Sequence, residues 1–133
     1  MLFGSLTAKE SNCTRVYEGN VSGTWMASCS PYIIEGEINV AEGETLIIEP
    51  GVWVKFMDLY PVNVLGSVEV NGIGTNTGGV VFTAVNPKKG WDGFDIMGIP
   101  SSESVTFNHC IFEYGFANGV DEFCSGGAIA VGS

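Results

Sequence analysis

The stretch INVAEGETLIIEPGVWVKF, Ile38 to Phe56, alternates apolar and polar residues in short bursts separated by Gly43 and by the pair Pro50-Gly51. Alternation with period two marks a strand with one buried face, and a glycine or proline closing each burst marks a turn. The signature continues outward in VNVLG at Val62 to Gly66, SVEVNG at Ser67 to Gly72 and VVFTA at Val80 to Ala84. No helical spacing intervenes, so the sequence predicts strands and turns almost throughout.

The bursts also recur at a longer step. Ile38 to Val62 is 24 residues, Leu46 to Val68 is 22 and Val52 to Val80 is 28. Repeats of roughly 20 to 50 residues mark solenoids and related arrays. Uneven steps are expected where each coil keeps its strands and varies its loops. Three strands per coil, stacked in parallel, bury one face of every strand in a common column. The alternation then turns Ile38, Val40, Leu46, Ile48, Val52, Val54, Phe56, Val62, Val64, Val68, Val70, Val80 and Phe82 inward. Glu37, Asn39, Trp53, Lys55, Asn63, Ser67, Glu69 and Thr83 turn outward. At the corner after Glu49, proline sets one torsion and Gly51 supplies a positive one. Nineteen glycines in 133 residues, about twice the usual share of ~7%, suit a chain that turns every few residues. A hydrophobic content of 45% argues against a disordered tract.

SGTWMASCSPYIIEGEINVAEGETLIIEPGVWVKF, then VNVLGSVEVNGIGTN, VVFTA, GWDGFDIMG and HCIFEYG, resembles the opening coils of large right-handed parallel β-helix proteins. These are pectate-lyase-like solenoids that marine and gut bacteria secrete or display. The resemblance spans about Ser22 to Gly115, and CSGGAIAV at Cys124 to Val131 resembles the start of a further coil. It implies an all-β fold: a right-handed parallel β-helix, or β-solenoid, of about three to four coils. An irregular N-terminal cap over residues 1–30 is expected to precede coils over 31–133, the last one incomplete. Secretion or cell-surface display is implied by the resemblance only. MLFGSL is too short for the apolar core of a signal peptide and lacks a basic lead.

Fifteen acidic residues against five basic ones give a formal charge of −10, which disfavours nucleic acid and anionic membranes as partners. No run of 18 apolar residues provides a membrane-spanning helix. The glutamates densest at Glu35, Glu37, Glu42, Glu44 and Glu49 read as a solvated outer face. No EF-hand loop or nonapeptide repeat points to calcium. The cysteines and the single His109 lack the paired spacings of a zinc site. No metal and no cofactor are therefore expected.

Four cysteines allow three pairings. A disulfide between Cys13 and Cys29 is expected to staple the cap. Cys110, which alternates with Phe112 and Tyr114, either packs inward as a small hydrophobe or reaches Cys124 around the FANGVDEF loop. His109 beside it reads as an outward strand residue. Strand neighbours face opposite sides, so His109 and Cys110 do not share a proton.

Two readings of function follow. In the first, the chain is a non-catalytic scaffold or adhesion module that binds carbohydrate on exposed aromatics, namely Trp53, Tyr60 and Trp91, since aromatic faces stack on sugar rings. In the second, it belongs to a carbohydrate-active enzyme, a polysaccharide lyase or hydrolase with Asp92, Asp95 and Lys89 as the catalytic group. An ice-binding face is not expected, because Thr45, Thr75, Thr77, Thr83 and Thr106 form no repeated T-x-T ladder. The apolar segment with Ala128, Ile129 and Val131 carries no polar cap, and an open solenoid end presents unpaired backbone. Self-association into a homodimer through these residues is expected.

Overall fold

The computed structural model describes residues 14–115, 124–125 and 129–132. Among them fifteen short strands wind through three sheets. The first coil is β1 (Thr14–Val16), β2 (Gly19–Asn20) and β3 (Gly23–Trp25). The second is β4 (Tyr32–Ile34), β5 (Ile38–Val40) and β6 (Thr45–Ile48), and the third is β7 (Trp53–Phe56), β8 (Val62–Val64) and β9 (Ser67–Asn71). The fourth is β10 (Val80–Ala84), β11 (Phe94–Met97) and β12 (Val105–Asn108). Then come β13 (Cys110–Phe112), β14 (Cys124–Ser125) and β15 (Ile129–Gly132).

From β1 to β13 every third strand joins the same sheet, as a coil of three sides requires. Sheet I runs β1, β4, β7, β10, β13, β14; sheet II runs β2, β5, β8, β11, β15; sheet III runs β3, β6, β9, β12. All pairings are parallel. Ile38 faces Val62, Leu46 faces Val68 and Val54 faces Phe82, reproducing the steps of 24, 22 and 28 residues. The chain is a parallel β-helix with four complete coils, as the alternation and spacing predict. Gly51 takes the positive φ of 85° expected of the Pro50-Gly51 corner.

All thirteen residues expected inward are buried. They form ladders in which each side chain rests on its register partner in the next coil, such as Tyr32, Val54, Phe82 and Phe112 along sheet I. The upper coils hold an aromatic stack: Phe82, Trp91, Phe94, Phe107 and Phe112 meet at centroid separations between 5.1 and 6.2 Å. Phe56 lies flat against Trp91 at 4.2 Å.

Three expectations need correction. The described part of the supposed 1–30 cap is not irregular: β1, β2 and β3 pair in register with β4, β5 and β6. These strands are two or three residues long and rich in glycine and polar residues, so they carry little alternation to read. Ser67 and Thr83, expected outward, are buried. The Ser67 hydroxyl donates to Glu103 Oε1 at 2.6 Å and accepts from the Ser104 N–H at 3.0 Å, so the 100–104 loop covers it. A second oxygen of Glu103 accepts the Gly43 N–H at 2.7 Å. The Ser67 hydroxyl and then the Gly43 amide hold the Glu103 carboxyl below its usual range. His109 is exposed but sits at the corner between β12 and β13 with φ 47°, not in a strand.

Candidate functional site

Trp53 opens β7, and the outward phase of that strand places its ring on the outer face of sheet I, 44% exposed. Its backbone is fixed from below, where the Trp53 N–H donates to Ser30 Oγ at 2.8 Å. Lys55, two residues on and on the same face, holds its Nζ 5.7 Å from the centroid of the Trp53 ring. Ser30, Pro31, Trp53 and Lys55 line a shallow depression of 340 Å³. In register above Trp53 stand Val81 and then Ile111. Val81 is buried, so the row exposes the Trp53 ring and Ile111, with one cation beside the ring. An indole face with a charged rim can stack on an apolar ring and donate a charge-assisted hydrogen bond beside it.

Tyr60 lies elsewhere. It sits in the connection between β7 and β8, partly buried against the core, and lines a separate groove of 370 Å³ with Glu18, Gly19, Glu35, Gly36, Glu37 and Asn39. The Asn63 amide on the same wall donates to Asn39 Oδ1 at 2.9 Å and to Glu37. Trp53 and Tyr60 flank opposite ends of β7 and line different depressions, so they do not form one surface.

Trp91 is not a surface residue. Its side chain is fully buried, stacked on Phe56, and its indole Nε1–H donates to the Glu113 carbonyl at 2.8 Å. Gly90 and Gly93, at φ 80° and 82°, flank it and let the chain dip toward the axis. That pair of glycines was the signal in the sequence, and its charged neighbours hid it.

The alternative catalytic group does not assemble. Lys89 Nζ pairs with Asp58 Oδ2 at 3.1 Å. The Leu59 N–H and then Lys89 hold the Asp58 carboxyl below its ordinary value. Asp92 is exposed at the coil corner, its N–H donating to the Tyr60 carbonyl at 3.3 Å. Asp95 lies on the outer face of sheet II, in register with Asn63. Among the described residues no three His, Cys, Asp or Glu side chains are grouped to hold a metal ion.

Cys29 is a free, exposed cysteine, so the expected bond to Cys13 is not formed; Cys13 itself lies outside the described residues. A 3-10 turn over Ala27–Cys29 brings the Cys29 thiol to the Tyr32 hydroxyl. Burial, first, and that thiol raise the Tyr32 hydroxyl's pKa against the lowering effect of the Met26 N–H. Of the residues expected to self-associate, Ile129 and Val131 lie on β15, in register with Phe94 and Ile96, and Ala128 lies outside the described residues. Ser30, Pro31, Val81 and Ile111 were not anticipated as site residues, since only the coil-to-coil register brings them beside Trp53; Lys55 shares its strand and its side with Trp53.

A scan of protein-family models finds no match to this chain. Searches of the curated proteins and of the solved structures find none either.

Proposed function

We propose that this chain is a non-catalytic β-solenoid binding module that takes a carbohydrate on the outer face of sheet I and associates with copies of itself. The observation that carries the first part is Trp53. A large aromatic ring left open on a flat, rigid sheet pays little ordering entropy on binding, because the scaffold already holds it. Lys55 gives up only a weak interaction when it turns to a ligand, since an exposed cation over a ring is worth about 0.5–1 kcal/mol. The lyase or hydrolase reading draws no support from the placement of Lys89, Asp92 and Asp95.

The test begins with a glycan array and continues by calorimetry on the best ligand. Trp53→Ala is expected to weaken binding about tenfold, the equivalent of the ~1.4 kcal/mol at the upper end of an aromatic contact. Tyr60→Ala should leave the affinity within twofold. A blank array, or a Trp53→Ala protein that binds like the parent, removes the reading. The same preparations should produce no new chain ends from the polysaccharide.

Self-association rests on the upper rim. β12 and β15 end sheets III and II, and among the described residues no strand pairs with their outer edges. Such edges present free N–H and C=O groups for strand addition. Light scattering over a rising concentration series is expected to show a dimer. A strict monomer at the highest concentration defeats this part and leaves the carbohydrate reading standing.

A further inference from the structure

Cys110 is one half of a disulfide, and the fold decides which cysteine is the other half. Cys29 is free. Cys13 is joined by one peptide bond to Thr14, the first residue of β1. From β1 to β13, sheet I passes through β4, β7 and β10, four strand spacings of about 4.8 Å each, or roughly 19 Å. A disulfide needs its two Cα atoms within about 7 Å, and Thr14, the residue bonded to Cys13, stands on a strand four spacings from that of Cys110. Cys124 is the register partner of Cys110 on the adjoining strand, where one strand spacing falls inside the required range.

We infer that Cys110 and Cys124 are bonded to each other, and that this bond is a redox-operated clamp on the C-terminal rim of sheet I. Among the described residues β14 shares two register positions with β13, Cys110 with Cys124 and Ile111 with Ser125. Two ladder positions hold a strand weakly, because few backbone hydrogen bonds offset the ordering of the segment. The covalent bond supplies the missing hold and closes a short loop, which restricts the unfolded chain. A dithiol reductant opens the bond. Its thiolate attacks one sulfur of the bond and the mixed disulfide resolves. The reductant leaves as its own disulfide, and Cys110 and Cys124 each retain a thiol. Cys110 is 6% exposed, so the attack is slow until β14 lifts. Once β14 is released, β13 replaces it as the outermost strand of sheet I. A bond of this kind persists where the surroundings are oxidising, which places the working protein outside a reducing cytosol.

The full-length oxidised chain is denatured without reductant, alkylated, digested and mapped by mass spectrometry. The expected product joins the Cys110 and Cys124 peptides, with Cys29 alkylated. An alkylated Cys110, or a cross-link from Cys110 to Cys13 or Cys29, overturns the pairing. Hydrogen exchange then tests the clamp. With a phosphine reductant, the amide of Phe112, whose phase faces β14, should exchange at least tenfold faster, while those of β6 and β9 stay unchanged. Cys124→Ser, made on its own, should reproduce the reduced pattern in the absence of reductant. Exchange at β13 that ignores both treatments overturns the clamp even if the bond is found.

Discussion

Trp91→Ala is expected to cost about 3–5 kcal/mol of folding stability, the range for removing a large buried aromatic. The side chain is fully buried and sits at the centre of the aromatic stack, flat on Phe56 and edge-on to Phe94 and Phe112. Truncation removes those ring contacts and leaves a cavity. The walls cannot collapse to fill it, because each belongs to a strand held in register from below. The partly buried Glu113 carbonyl also loses its indole donor, which adds the cost of a lost hydrogen bond. Denaturant titration should show the midpoint falling sharply with little change in slope. Trp91→Phe should recover the stacking and lose only the hydrogen bond, a deficit nearer 1–2 kcal/mol. Should Trp91→Ala unfold within 1 kcal/mol of the parent, the central packing described above is incorrect.

Gly72→Ala is the second large effect. A Cβ at this position would lie 2.2 Å from the His109 carbonyl oxygen and 2.6 Å from that of Asn108. Both are backbone atoms of the next coil. The His109 carbonyl is already committed, accepting the Val80 N–H at 3.1 Å, so it cannot retreat without breaking a rung between coils. Overpacking against mobile side chains costs about 1–3 kcal/mol, and against fixed backbone the upper end or beyond is expected. Gly66→Ala repeats the conflict one corner earlier, where the Cβ would meet the Ala41 and Glu44 carbonyl oxygens at 2.2 and 2.5 Å. Thermal melts of the two variants should each fall well below the parent, and a tolerated alanine at both sites would mean that the coils are spaced more loosely than described.

The winding of the chain was legible because period two and the 22- to 28-residue steps report the same thing at two scales. Val54 must face inward to sit in one strand, and it must sit 28 residues before Phe82 to stack in the next coil. Both conditions are local to the sequence. Depth is different. Ser67 and Thr83 occupy outward phases yet are buried, since what covers a residue comes from another part of the chain, as the loop bearing Glu103 does for Ser67. Trp91 failed for the same reason in reverse: its neighbours Lys88, Lys89 and Asp92 are surface residues, and only the positive φ at Gly90 and Gly93 turns the ring away from them. The proposed binding face was half legible. Trp53 and Lys55 are two apart in a strand, so their shared side is readable. Pro31, Val81 and Ile111 join them by register across three further coils, and that information is not carried by any single stretch.

The outer row of sheet I has one more property. Pro31, Trp53, Val81 and Ile111 are separated by 22, 28 and 30 residues of chain, yet across the sheet they follow one another at a single pitch of about 4.8 Å, fixed by backbone hydrogen bonding, with Val81 buried between its two neighbours. Longer loops at the corners leave that pitch unaltered. The row is thus a comb whose teeth are set by the ladder, and a polymer whose units repeat along its length would engage successive teeth as one tethered series. Affinity should therefore climb with oligomer length until the comb is filled, and then level off.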